Sequence, residues 1–381
     1  MTFLYQLAVL GAPTEAQIRD LSECIASALD KFNLRLRHEV VWDVLPATFK
    51  PDQLQPSAAV FFGGNNVDVA NLEELLARGV PILPVVSDSS RRQSELPDIL
   101  HPLNCLDYKT GGAEHVANAL LESVGLLAHQ RRVFISYQRN DALAAASQLC
   151  EALTARQFNV FMDTHGIDMT EDAKALSWHK LYDSDVVLML DTPGYFNSRW
   201  SNAEFGRVLA KGISVLRVNW PDVTASRRSA TTCISKLASE DIQLDSGGLE
   251  ADAVERICLQ LEEVRSQNHA IRMVNMISNL RIAIQAIGGK MLGVSTYKAM
   301  HMQLPNGQRL TVYPTVGVPT PVLLEEALSH TPSSQSAAVV YDPVGLYQKG
   351  LHYLDWLSKH TQSDSWIKAS EASQQFKHWG H

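Results

Sequence analysis

The sequence predicts an α/β protein with two tandem doubly wound, mainly parallel-sheet domains followed by a small α+β domain. Three observations carry this. Apolar runs of strand length alternate with amphipathic, helix-length segments through residues 1–268, the pattern of strand–helix–strand crossovers in a sheet covered on both faces. At 381 residues the chain is too long for one ordinary core. After residue 268 the alternation gives way to a long apolar-striped helix, a hairpin signal and short mixed elements. The expected boundaries are 1–128, 129–268 and 269–381.

The first segment opens with LYQLAVLG as a strand and EAQIRDLSECIASALDKF as an amphipathic helix. HEVVWDVL and SAAVFFGG read as the second and third strands. NLEELLARG is a helix closed by a glycine cap, VPILPVV a fourth strand, and NCLDY precedes a last helix, AEHVANALLESVGLL. The second segment follows the same plan, with the strands RRVFISY, FNVFMD, DVVLMLD and ISVLRVNWP. In the third, HAIRMVNMISNLRIAIQAIGG is a helix with Ile271, Val274, Ile277, Leu280 and Ile284 on one stripe, stopped by Gly288-Gly289. Asn306-Gly307 between two alternating runs favours a hairpin. VLLEEALSH is a short helix, SAAVVYD a strand, and GLYQKGLHYLDWLSKH and SWIKASEASQQFKHWG are helices.

The composition is that of a globular protein with ample core material: 45% hydrophobic and 19% charged. A formal charge of −8 argues against nucleic-acid binding, which wants a basic footprint. Five scattered cysteines without a C-x-x-C pair read as free thiols in a reducing compartment. The N-terminal apolar run lacks a basic flank and is broken by Gly11 and Pro13, so it reads as a first strand and not a signal peptide. No stretch approaches a membrane span, and a cytoplasmic protein is expected. Thirteen histidines form no H-x-x-x-H or H-E-x-x-H pair, so no metal is expected. A phosphate-binding G-x-x-x-x-G-K-[ST] loop and a G-x-S-x-G elbow are both absent, which disfavours ATP hydrolysis and serine hydrolysis.

The first two segments read as an internal repeat, with chance convergence of two generic α/β domains as the alternative. VVLMLD, SNAEFGRVLAKG and ISVLRVNWP track SAAVFFGG, VDVANLEELLARG and VPILPVV. Leu106-Asp107 before Gly111-Gly112 is matched by Leu244-Asp245 before Gly247-Gly248. Aligning Gly212 with Gly79 sets Glu204 on Asn71 and Trp200 on Val67, so the first copy lacks both residues of the pair discussed next. The GGNN run at 63–66 reads either as a backbone cradle for an anion or as a plain turn.

Trp200 and Glu204 lie one turn apart on one face of a helix, an aromatic plate beside an acid. Such a pair suits a flat, cationic, sugar-linked base. In a doubly wound sheet ligands collect outside the carboxyl ends of the strands. Arg139 and Asn140 follow the first strand of the second segment, Asp163 the second, and residues 192–200 the third. Asp141 is positioned to cap the helix that follows.

Residues 130–268 resemble a TIR domain of the NAD-cleaving kind: Phe134-Ile135-Ser136-Tyr137 matches the first-strand signature, Arg139, Asn140 and Asp141 the next loop, and Glu204 the catalytic glutamate. The resemblance implies a flavodoxin/TIR-like sheet and an NAD glycohydrolase or ADP-ribosyl cyclase of the bacterial immune or virulence type. Glu204 would be catalytic, with Trp200, Arg139, Tyr137, Asp163 and Asn140 binding substrate. NAD is substrate and no cofactor is implied. The carboxylate would stabilise the oxocarbenium-like ribose, as in glycoside hydrolysis, and the guanidinium would fork onto phosphate. Self-association through TIR surfaces, a small nucleotide trigger, and no nucleic-acid or membrane partner complete the expectation.

Plainer readings stand beside these. Glu204 can pair with Arg207 on a solvated helix face, Trp200 can anchor a core, Arg139 can be a surface residue, and Asp163 can cap the turn at His165-Gly166. Tyr195 and Phe196 either close over the base or pack beneath the Trp200 helix. At the level of function, the alternatives are a non-catalytic TIR scaffold and a nucleotide-sensing signalling module.

Overall fold

The structure is a computed structural model. It describes residues 3–64, 69, 71–127, 131–162, 178–197, 208, 212–221, 223, 233–316, 319–332, 335–342, 352–354, 356 and 366–380. The chain falls into two compact units, one made of Met1–Leu127, His269–Pro343 and Leu351–His381, the other centred on Ala128–Asn268.

In the first unit, strands β1 (Tyr5–Gly11), β2 (Val40–Val44), β3 (Ser57–Phe62), β4 (Ile82–Val86) and β5 (Leu106–Asp107) form an all-parallel sheet of order β2-β1-β3-β4-β5. The continuous apolar runs arise because both faces are covered. Leu7, Val9, Val60 and Phe62 pack under helices α1 (Glu15–Asp30) and α4 (Tyr108–Ser123). Ala8, Leu10, Ala59 and Phe61 pack on the opposite face with α2 (Leu72–Arg78). Thr14 opens α1 with a capping box: its hydroxyl accepts from the Gln17 amide at 3.2 Å and its own amide donates to Gln17 Oε1 at 2.8 Å. Gly79 ends α2 at φ 73, the left-handed cap expected from its sequence position. A short helix, α3 (Arg92–Glu95), follows β4.

The second unit repeats this order. Strands β6 (Arg132–Tyr137), β7 (Asn159–Met162), β8 (Val186–Asp191), β9 (Ser214–Asn219) and β10 (Cys233–Lys236) are arranged β10-β9-β8-β6-β7, all parallel. Read from the other edge, that is the same second-first-third-fourth-fifth plan as the first sheet. Helix α5 (Arg139–Ala155) and the early part of α6 (Ala251–Ala286) cover one face around Ile135, Leu188 and Leu216. Phe134, Val187, Met189 and Val215 bury on the other. Gly212, at φ 68, precedes β9 as Gly79 precedes β4.

One sequence-level match is not a structural one. Leu106 is a buried strand residue, whereas Leu244 is 96% exposed in a turn beyond β10. The fifth strand of the second sheet is instead CISK, whose two apolar side chains gave no periodic signal.

The third sheet, in the first unit, contains β11 (Lys290–Val294), β12 (Met300–Gln303), β13 (Arg309–Thr315), β14 (Ser336–Tyr341) and β15 (Trp366–Lys368) in sequential order. Its first two pairings are antiparallel and its last two parallel, the small α+β element expected. The hairpin between β12 and β13 turns at Gly307, φ 85. Helix α7 (Pro321–Ser329) starts on a Thr320 cap with proline at its first position. The stretch from Trp366 is not one helix: three residues pair with β14 before α8 (Ala372–Gly380) begins. A bulge at Gly293 hid β11, and Gly293 is required there, since an added Cβ would meet Leu76 Cδ2 at 2.6 Å.

Candidate functional site

The carboxyl end of the second sheet gathers the polar residues of the second unit. Tyr137 closes β6 and is 5% exposed. Burial pushes its phenol up, and the Arg139 guanidinium pulls it back. Arg139 and Asn140 are exposed at the start of α5, where a guanidinium is free to meet solvent-borne phosphate. The helix begins at Arg139, before the position expected, and kinks at Ala142 (φ −137, ψ 19).

Asp141 is therefore not its cap. Its Oδ2 accepts from Thr192 Oγ1 at 3.0 Å, tying the start of α5 to the loop after β8. Gly194 makes this possible, because a Cβ there would lie 2.5 Å from the same carboxylate oxygen. A second tie joins Ser136 Oγ and Tyr195 OH at 2.7 Å, both residues buried. Tyr195 is 1% exposed and stacks edge-on against Phe196 at 5.1 Å. The Trp200 helix, beneath which the two aromatics could pack, lies outside the described residues. The loop is thereby clamped at two points before it reaches residue 198.

Beneath it lies a pair that the sequence reading missed. Arg217 of β9 donates from Nε to Asp191 Oδ2 at 2.5 Å, and each side chain is 1% exposed. Register explains the meeting: Asp191 pairs with Asn219, and Arg217 lies two residues back on the same face. An arginine inside the apolar run SVLRVN was the available signal. Burial pushes the Asp191 carboxyl up while Arg217 holds it down.

Tyr137, Arg139 and Asn140 thus stand together at one strand end. Glu204, Trp200 and Asp163 lie outside the described residues, as does the whole stretch 164–171 that follows Asp163. Among the described residues no cluster has the makings of a metal site.

The first sheet treats the equivalent edge differently. Gly63 N donates to Val85 O at 2.8 Å and Gly64 N to Glu95 O at 2.9 Å, so both glycine amides are taken by the chain, while Asn65 and Asn66 of the run lie outside the described residues. The Glu95 carboxylate takes the Ser87 amide at 2.7 Å and the Ser87 hydroxyl at 2.5 Å. Asn71, the counterpart of Glu204 in the repeat, donates to Phe49 O at 3.0 Å.

A parallel sheet of this order defines a doubly wound domain, and the carboxyl end where its arginine and polar residues stand is where ligands collect in that class. Residues 133–258 match the family model described as TIR domain, so the central part of this chain carries a TIR domain. No curated protein matches the chain. Among solved structures, a two-component system response regulator/GGDEF domain protein aligns at 12% identity and TM-score 0.24, over 71% of this chain and 99% of that one. At that score the fold rests on the strand order alone. No helix among the described residues is long and apolar enough to cross a membrane.

Proposed function

We propose that the protein is an NAD glycohydrolase that cleaves the nicotinamide–ribose bond, releasing nicotinamide with ADP-ribose or a cyclic isomer. The observation that carries the reading is the TIR match over 133–258, which encloses Trp200 and Glu204 in sequence; the position of Tyr137, Arg139 and Asn140 at the carboxyl end of β6 supports it. The chemistry asks for an anion near a ribose that becomes cationic and for a cation near the diphosphate. Glu204 supplies the first, Arg139 the second, and Trp200 a face for the base. Asp163 and Asn140 border the ribose and phosphate. The Asp141–Thr192 and Ser136–Tyr195 ties support this by holding the strand-end loops in place.

A freely active NADase would empty its own cell, so activity is gated. Self-assembly through TIR surfaces and a small nucleotide trigger are the proposed gates, in a bacterial defence or signalling role. Specific activity should then rise with protein concentration. A constant value across a hundredfold dilution would remove assembly as the gate.

The decisive test is mass-spectrometric product analysis after incubation with NAD, for wild type and Glu204→Gln. The variant keeps size and removes the charge, so turnover should fall at least about a hundredfold at unchanged melting temperature. Activity within a fewfold of wild type would leave Glu204 a surface partner of Arg207. No NAD loss from either protein under any assembly condition would favour the scaffold reading.

A further inference from the structure

The first unit holds a second cleft, of about 550 Å³, at the end of β5. That size suits a small-molecule ligand. Its walls come from α3, the start of α4, the turn Thr296–Lys298 and His330 after α7. Arg92, Asn104, His115, Tyr297 and His330 are the side chains that bear on recognition.

Two features set this cleft apart from a packing gap. The first is its aromatic wall: the rings of Tyr297 and His330 stack at 3.6 Å and 12° between planes, and both are half-buried. The Tyr297 side chain is held there by backbone that non-glycine residues rarely adopt, Tyr297 at φ 61 and Lys298 at φ 55 in succession. Such strain persists only where the surroundings over-determine it, and it concentrates at ligand sites. The neighbours on either side, Ser295, Thr296 and Lys298, are buried, so the turn is wedged in place.

The second feature is charge. Arg92 is pinned by two bonds from Nη2, to His101 O and Leu103 O at 2.6 Å each, which fixes a cation on the wall. Burial holds the His330 imidazole below its ordinary value, with Glu326 opposing and His115 adding to the fall. Among the described residues of the wall the carboxylate is Asp107, which is already engaged: Ser89 donates to it from N at 2.9 Å and Oγ at 2.6 Å, and the Thr110 amide at 3.1 Å. Asn104 donates to His330 O at 3.1 Å, which steadies the aromatic wall from behind.

We infer that this cleft binds a nucleoside monophosphate, its flat base against the Tyr297–His330 wall and its phosphate toward Arg92 and His115. The site also has a route to the long helix. Tyr297 is bonded in sequence to Lys298, whose Nζ lies 3.1 Å from His269 Nε2 on α6. α6 is the helix whose earlier residues help form the core of the TIR unit. The inference gives the proposed nucleotide trigger a location, and it stands apart from NAD cleavage.

The test is calorimetric titration of the full-length chain with adenosine monophosphate, adenosine and inorganic phosphate in turn. The monophosphate should bind at least tenfold tighter than either part. Tyr297→Gly removes the ring and relieves the left-handed backbone, so affinity should fall at least tenfold with the melting temperature held or raised. His115→Gln should narrow the gap between the monophosphate and adenosine. Arg139→Ala in the TIR unit should change nothing, which separates this site from the NAD site. No binding of the monophosphate at millimolar concentration overturns the inference, as does full affinity in both Tyr297→Gly and His115→Gln. Adenosine binding as tightly as the monophosphate overturns the assignment of Arg92 and His115 to phosphate.

Discussion

Glu122 is a charged residue in an unexpected place, and its titration gives a residue-level prediction. It lies near the end of α4 in the first unit, where burial pushes its carboxyl up to about 7, with Lys298 opposing and Glu326 adding to the rise. The folded state therefore prefers the neutral acid. Because the folded value lies above the unfolded one, the stability it contributes is complete below about pH 4.5 and is lost as pH rises through about 7. Buried His301 works in the opposite sense: held down to about 4, it favours folding at neutral pH and loses that contribution as the pH falls from about 6.5. The two overlap, so the difference between wild type and Glu122→Gln isolates the glutamate. Glutamine keeps the volume and cannot ionise. In urea melts the variant should gain on wild type between pH 4.5 and 8, by about 3 kcal/mol at most. Parallel curves across that range would mean that Glu122 titrates as in solution. The strand-end position of Tyr137, Arg139 and Asn140 was legible at this scale, because they close or follow a strand signature. The Asp141–Thr192 tie was not, since a carboxylate just before an expected helix start reads first as a cap and only the fold brings the loop after β8 beside it.

At the level of elements, α6 carries a buried group of three charges. Arg131 and Glu262 meet at 2.8 Å, Arg265 and Glu262 at 2.9 Å, and the Arg131 guanidinium lies 4.2 Å from the Phe158 ring centroid. All three charged residues are buried. Removing the carboxylate takes away the anion that both guanidiniums share, so Glu262→Met should destabilise the protein, by about 3–5 kcal/mol at most. Replacing all three by methionine should recover most of that loss, because a well-packed apolar trio owes no desolvation. Chemical denaturation of the three proteins decides it: a cost below about 1 kcal/mol for the single change would show water reaching the group. The sequence pointed to a helix from residue 269, but the structure runs it from Ala251, and no proline or glycine between 251 and 286 interrupts it. A composition shift marks residue 268 as a boundary between units, while the helix passes through it unbroken. Short strands were the other gap. WIK of β15 hides inside a helical pattern because three residues are too few to show a period of two.

For the whole molecule, the repeat invites treating residues 1–128 as a free-standing domain, and the packing argues otherwise. Within the first unit, Pro81 bridges to Val294, and an added Cβ on Gly79 would meet Ile277 Cγ2 at 2.8 Å. Gly293 sits against Leu76 and Leu103. These contacts join the first sheet to the third across 141 residues of intervening chain, 128 to 268. A fragment ending at residue 128 would bare apolar surface around Leu76, Val80 and Leu103, all buried in the full chain. It should melt well below the first unit of the intact protein, or aggregate. Joining residue 127 to residue 269 through a flexible linker should restore that unit, because both halves of the seam are then present. The joined protein lacks Arg139, Trp200 and Glu204, so it should leave NAD intact while still binding adenosine monophosphate. Circular dichroism melts of the fragment and the joined protein, with full-length protein as reference, distinguish the possibilities. Equal, cooperative melting of fragment and joined protein would show that the first sheet stands without the third. A joined protein that fails to fold would mean that the first unit needs the TIR segment between its two halves.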